Sequence, residues 1–356
     1  MSRTGPSSDR ESGSPSRPVR LKDVAAAAGV DTSVVSRILS GAGSLSVRPE
    51  TRRRVLETAA RLGYRPNHAA RALKTARTMA IGMIVPELDN VAYATIARGA
   101  DEQASRAGYA LLVATGAVRD RLATLEGRID GLLVGIATSE TLHVGDIGGN
   151  LPTVLVNRSE ALGIPSVTVD DEHGAAQAVS HLIALGHRRI GHVAGPQNSD
   201  TGRRRLRGYR TELERAGIRV LPEWIAEAAY DESGGQIAAG RLLSVAPPRP
   251  TALFVANIRA AIGAIAAARQ LGLRVPADLS VIGFHDAPVA AYGDPPLSTV
   301  RMPLREMGVQ AVDSLLQLLD GNVVEDVRVG AAPEIVIRGS TAPPGADALP
   351  GDVVAD

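Results

Sequence analysis

Two groups of side chains have the types and spacing to do chemistry. The first is cationic. Residues 17–77 hold 13 Lys/Arg against 4 Asp/Glu, a net charge of +9, and guanidinium and ammonium groups at that density neutralise phosphates. The second is imidazole: His173, His181, His187 and His192 cluster in sequence. His181 and His187, however, flank the end of a helical pattern, no second ligand set at metal spacing accompanies them, and HExxH is absent. There is no cysteine, so thiol nucleophiles, disulfides and Cys-based zinc or iron–sulfur sites are excluded. Gly195-Pro196 is a single turn with no GxxxxGK[ST] after it. With no convergent acid–base or nucleophile set, the sequence reads as a non-enzyme needing no cofactor and no metal.

The cationic group must be positioned by helices. Leu21–Val30 and Asp31–Leu39 have the form of two short helices joined at Gly29, with Leu21, Val24 and Ala28 facing Val34, Val35, Ile38 and Leu39 and with Asp31 able to cap the second. A third helix starts with Pro49 in its first turn, carries Arg52-Arg53-Arg54 on a solvated or phosphate-facing side, and stops at Gly63. This is a helix-turn-helix, whose second helix enters a DNA major groove with its N-terminal side chains forward. Residues 1–18, rich in Ser, Gly, Pro and Arg, and residues 341–356 read as disordered tails.

Near Thr78 the pattern changes to β-branched apolar runs alternating with helical segments, an α/β architecture. Expected strands are Ala80–Val85, Ala110–Ala114, Gly131–Gly135, Thr153–Val156, Ser166–Val169, Arg189–Val193, Ile225–Tyr230, Ala252–Ala256, Leu279–Phe284 and Glu334–Ile337. Helical patterns between them include Ile96–Ala107, Gly174–Leu185, Arg204–Ala216 and Ala260–Leu271. A weak repeat, Ile81-Gly82 to Arg106-Ala107-Gly108 against Ile190-Gly191 to Arg215-Ala216-Gly217, implies two similar lobes with a ligand cleft at the carboxyl ends of their strands. Residues 78–356 carry 24 Lys/Arg against 32 Asp/Glu, a net of −8, so the near-neutral total of +1 is a basic module cancelling an acidic one. No apolar run is long enough to span a bilayer and no hydrophobic leader follows the N-terminus, so a cytoplasmic protein without a membrane partner is expected.

The run Leu21–Leu39, then Gly63-Tyr64-Arg65-Pro66-Asn67, then Ala69-Ala70-Arg71-Ala72-Leu73-Lys74 resembles the headpiece and hinge of the lac repressor (LacI/GalR) family of bacterial transcription regulators, and the resemblance continues from about Val19 to Gly339. It implies an all-α helix-turn-helix headpiece (19–66), a hinge helix and linker (67–78), and an α/β two-lobed, type I periplasmic-binding-protein-like effector and dimerisation domain (79–340). It also implies roles. Thr32 and Ser33 open the recognition helix, and Arg37 further along it reads bases or contacts phosphate. Asn67, Arg71 and Lys74 belong to a hinge helix that folds in the minor groove, where Leu73 wedges between central base pairs. His68 has no assigned role. In the cleft, Tyr93 and Tyr230 match stacking positions, and Arg205 matches an arginine that bonds effector oxygens. Asn257 matches an asparagine that contacts hydroxyls, and Trp224 reads as structural.

Three positions depart from the family: Asn157, Ile258 and His285 stand where Asp is common, with Asp286 next in the chain. Arg205 would then be less neutralised. Either the effector carries a carboxylate or phosphate, or Asp286 or Asp89 supplies the missing acceptor; Asn157, His285 and Asp286 complete the expected cleft set. The short Thr115–Asp130 stretch implies a trimmed second helix in the first lobe. The chain after Gly339 has no apolar heptads, which with the resemblance implies a homodimer on a near-palindromic double-stranded operator. Function is then that of a transcriptional repressor whose operator affinity is controlled by a sugar or sugar-derived effector. The alternatives are a DNA-binding protein with a non-responsive sensor, or a solute-binding protein.

Overall fold

The structure is a computed structural model that describes residues 19–39, 47–64, 77–136, 151–160, 163–244 and 248–345. It divides into two compact units, at Arg77 and Thr78, where the sequence pattern changes. The N-terminal tail and the hinge positions Asn67, His68, Arg71, Leu73 and Lys74 lie outside the described residues.

The first unit holds α1 (Leu21–Ala28), α2 (Thr32–Leu39) and α3 (Pro49–Arg61). Gly29 at φ 63° ends α1 in the left-handed conformation, which glycine adopts without a Cβ penalty. Val24, Ala25 and Ala28 of α1, Val35 and Ile38 of α2, and Val55 and Ala59 of α3 form its buried core. Small side chains at Ala25 and Ala28 let three short helices meet around that core.

In the second unit the chain runs β1 (Ala80–Val85), α4 (Val91–Arg106), β2 (Ala110–Thr115), α5 (Val118–Leu125), β3 (Gly131–Val134), β4 (Thr153–Val156) and β5 (Ser166–Thr168). It continues α6 (Asp171–Ala184), β6 (Ile190–Ala194), α7 (Asp200–Arg215), β7 (Ile225–Glu227), α8 (Glu232–Leu243), β8 (Ala252–Val255), α9 (Ile258–Gln270) and β9 (Ser280–Phe284). Last come β10 (Ser298–Arg301), α10 (Leu304–Leu319), β11 (Val327–Arg328) and β12 (Glu334–Val336). Two sheets result, in orders β11-β5-β4-β3-β1-β2 and β12-β10-β9-β8-β6-β7, the same winding in each lobe. Their strands pair in parallel except β10 with β12, which is antiparallel. Strands such as β1, β3, β4 and β8 are buried along their whole length, as sheets covered on both faces require. Among the described residues the chain changes lobe three times: after β5 near Val169, after β10 at Met302-Pro303, and between β11 and β12.

Several expectations shift. β10 and β11 are strands that the apolar pattern does not announce. β7 ends at Glu227, so Tyr230 lies in the loop beyond it rather than closing it. The expected trimmed helix is α5, eight residues long. The C-terminal boundary at 341 moves outward: Ala342 N donates to Ser280 Oγ at 3.0 Å, Ala342 O lies 2.9 Å from His187 Nε2, and Thr341 Oγ1 lies 3.1 Å from His181 Nε2. Residues 346–356 lie outside the described set. No helix among the described residues is long and apolar enough to cross a membrane.

Candidate functional site

In the first unit, Thr32, Ser33 and Arg37 are exposed at the start and along the outer side of α2. Asp31 organises this end: its Oδ1 accepts from Ser33 N at 2.7 Å. Hydrogen bonds from Ser33 hold its carboxyl below the ordinary value. Arg37, one turn on, places Nε and Nη2 3.4 Å from Ser33 O and Oγ. The arrangement presents two hydroxyls and a guanidinium side by side on a helix held from behind by Val35 and Ile38.

In the second unit a cavity of about 330 Å³ lies between the two sheets' carboxyl ends. Tyr93, Asn157, Arg205, Tyr230, Asn257 and His285 all line it. Four lining residues, Asn90, Ser199, Asp231 and Asn257, are the N-caps of α4, α7, α8 and α9, so four helix N-termini converge there. This follows from parallel winding, in which each helix starts where a strand ends, and it biases the cavity toward electronegative ligand atoms.

The two tyrosines are seated alike. Tyr93 Oη donates to Gly135 O at 2.6 Å, and a Cβ on Gly135 would fall 2.6 Å from Tyr93 Cε1. Tyr230 Oη lies 3.1 Å from Thr201 Oγ1, and a Cβ on Gly195 would overlap its ring and hydroxyl. In both lobes a glycine just past a central strand admits the ring.

Arg205, 2% exposed, is held on three sides: Nε donates to Asp171 Oδ1 at 2.8 Å, Nη1 to Ala256 O at 2.7 Å, and Nη2 lies 3.1 Å from His285 Nε2. Its Cζ stands 4.3 Å over the Phe284 ring. The expectation of a poorly neutralised Arg205 is therefore corrected, because the fully buried Asp171, which also meets Arg204 Nη2 at 2.9 Å, supplies the counter-charge. Asn257 Oδ1 accepts from Arg259 N and Ala260 N, leaving its amide NH₂ for a ligand. Asn157 (φ 62°) and His285 (φ 70°) both sit in left-handed backbone at strand ends, which Asn and His tolerate. Burial, then the neighbouring Arg205 charge, hold the His285 imidazole well below its ordinary value.

Asp286 is not among the residues lining the cavity. Its Oδ1 accepts from Thr299 Oγ1 at 2.7 Å and Arg338 Nη2 at 2.8 Å, and its Oδ2 from Arg301 Nη2 at 2.9 Å. None of those three donors lines the cavity, and together they account for its carboxylate. Asp89 also fails as the missing acceptor: it is exposed and pairs with Arg259 Nη1 at 3.3 Å, beside Glu87 at 3.1 Å. Glu87 and Asp89 leave the end of β1 and Arg259 starts α9, so this ion cluster joins the two lobes at the cavity mouth. Trp224 is buried before β7 and does not line the cavity. His192, stacked between Tyr209 and Phe254, is pushed down to about 4 by burial. Sequence reasoning missed Asp171, Arg158, Gly135 and Gly195. Asp171 had one visible signal, an acidic side chain in a helix's first turn, which points equally to an ordinary dipole partner.

Residues 20–67 match the family described as bacterial regulatory proteins, lacI family, and residues 179–341 match the periplasmic binding protein-like domain. The chain is 36% identical to the HTH-type transcriptional regulator MalR of Streptomyces coelicolor, over 91% of this chain and 96% of that one. It superposes on the lac repressor dimer bound to operator and the anti-inducer ONPF with a TM-score of 0.75, at 31% identity, covering 92% of this chain and 100% of that one. The complex of the transcriptional regulator CelR with cellobiose gives 0.68, at 32% identity, covering 91% and 100%.

Proposed function

Because the chain belongs to the lacI family of bacterial regulatory proteins, we propose that it is a homodimeric, sequence-specific DNA-binding repressor whose operator affinity is set by a sugar or sugar-derived effector in the cleft, and that it has no enzymatic role. The observation that carries the reading is the joining, in one chain, of a helix-turn-helix with an exposed Thr32, Ser33 and Arg37 face to a two-lobed unit whose cavity gathers stacking rings and fixed polar groups. Thr32, Ser33 and Arg37 contact the half-site in the major groove, and Asn67, Arg71, Leu73 and Lys74 serve the hinge. Tyr93 and Tyr230 flank the effector ring, while Arg205, Asn257, Asn157 and His285 meet its oxygens.

The mechanism is linkage. An effector that binds one lobe arrangement better than another shifts the population toward it, and operator affinity changes by the same factor that DNA imposes on effector affinity. An exported solute-binding protein would have no use for the basic headpiece. The test is fluorescence anisotropy on a near-palindromic operator, with and without candidate sugars. A sugar that changes operator affinity at least fivefold supports the reading. Unchanged affinity with a sugar bound by calorimetry identifies a non-responsive sensor.

A further inference from the structure

The arginines around the cavity are matched with carboxylates, with one exception. Arg203 has Glu160, Arg204 has Asp171 and Asp200, Arg205 has Asp171, and Arg259 has Glu87, Asp89 and Glu232. Arg158 lines the cavity, is 6% exposed, and has no ion pair or hydrogen bond among the described residues; its Nε and Nη1 are buried without partners. An uncompensated buried guanidinium is strongly destabilising, so a fold keeps one where something else brings the anion.

Two further groups lining the cavity offer donors. His285 Nε2 faces Arg205 Nη2 at 3.1 Å. A guanidinium only donates, so Nε2 accepts and the proton of the neutral ring sits on Nδ1. That Nδ1–H is buried without a partner. Asn257 has committed its carbonyl to capping α9 and offers NH₂. The lining carboxylates are already engaged, Glu87 by Arg259 and Asp231 by Gly234 N at 2.6 Å. Asn157 Oδ1 is the one buried, unpartnered acceptor lining the cavity among the described residues.

We propose that the effector is a sugar derivative carrying an anionic oxygen group, carboxylate or phosphate, seated on Arg158, with the His285 Nδ1–H and the Asn257 amide donating to its other oxygens. The proposal rests on the reading of this cleft as a sugar-effector site. It assigns Arg158 as the specificity-determining residue that separates an acidic sugar from its neutral parent.

The full-length chain is titrated by calorimetry with glucuronate, galacturonate, gluconate and glucose 6-phosphate, and with glucose and galactose as neutral parents. At least one anionic member is expected to bind tenfold or more tighter than its parent, and whether it is a carboxylate or the phosphate identifies the group. Arg158→Gln should lose about 10–100-fold for that ligand and leave the neutral parent nearly unchanged, with Arg158→Lys retaining most of the preference. Without ligand, Arg158→Gln should melt at or above the parent temperature, since an unpaired buried charge has been removed. Neutral sugars binding as tightly as acidic ones would overturn the proposal and leave the sugar-effector reading standing. A preference that survives Arg158→Gln, or a melting temperature several degrees lower in that variant, would also overturn it. Binding by no member of the panel would overturn both readings.

Discussion

Replacing Asp171 by Asn tests what fixes the cleft arginine. The carboxylate is fully buried and serves two guanidiniums, Arg205 Nε at 2.8 Å and Arg204 Nη2 at 2.9 Å. An amide of the same shape keeps one acceptor oxygen but turns an NH₂ toward the second guanidinium, donor against donor. Arg204 retains Asp200 at 3.3 Å. Arg205, 2% exposed, retains only neutral partners, Ala256 O and His285. Breaking a buried pair by removing one member costs about 3–5 kcal/mol, which for a unit of this size lowers the melting temperature by roughly 10 °C. Urea unfolding followed by Trp224 fluorescence reports on this unit alone, because Trp224 is the only tryptophan and is buried there. Combining Asp171→Asn with Arg205→Met removes both charges and should recover a substantial part of the loss. A single variant within about 1 kcal/mol of the parent, against the 3–5 kcal/mol of a broken buried pair, would refute the argument, as would a double variant whose loss is the simple sum of the two singles.

Three further outcomes are expected. His192 titrates near 4 in the fold against 6.5 in the unfolded chain, so the unfolded state takes up its proton first and stability falls as pH drops from about 6.5 to about 4, by up to roughly 3 kcal/mol. His192→Phe should flatten that part of the profile without abolishing it, since His181, His187 and His285 are also depressed; an unchanged slope in urea melts at stepped pH would dismiss the account. Gly135→Ala should push Tyr93 off its seat, lowering the melting temperature by a few degrees and weakening effector binding about tenfold; calorimetric parity with the parent would show that Tyr93 does not form the platform. Arg37→Ala should weaken binding to the operator about 10–100-fold and binding to scrambled DNA much less, and equal losses on both duplexes in anisotropy titrations would demote it to a phosphate contact.

Periodic apolar patterns made α1, α2 and the central strands legible, because burial on one stripe or along a whole strand leaves a local signature. β10 left none: three of its four residues, Ser298, Thr299 and Arg301, are polar, and the hydroxyls find partners elsewhere in the chain, Ser298 Oγ at Thr341 Oγ1 and the Arg338 N–H, and Thr299 Oγ1 at Asp286. β11 is two residues long, too short for any period. In the cleft, six of the seven residues that the family resemblance implied line the cavity, each in a loop that follows a strand or in the first two turns of a helix. Asp286 departs because its neighbours Arg301 and Arg338 are decided by tertiary placement. Asp171 and Arg158 were hidden for the same reason, one by a counter-charge and the other by the lack of one.

The lobes interleave along the chain, and this bears on the order in which a newly made molecule becomes competent. The core of the first lobe includes Met307, Ala311, Val312 and Leu315 of α10, packed with Ile96 of α4, and its sheet ends with β11 at Arg328. That lobe cannot close until about 260 residues after Tyr64 have followed it out of the ribosome, roughly 13–50 s at ordinary synthesis rates. The headpiece core, from Val24 to Ala59, is local and can fold at once. During that interval the DNA-reading unit is ready while the part that would restrain it is still being made.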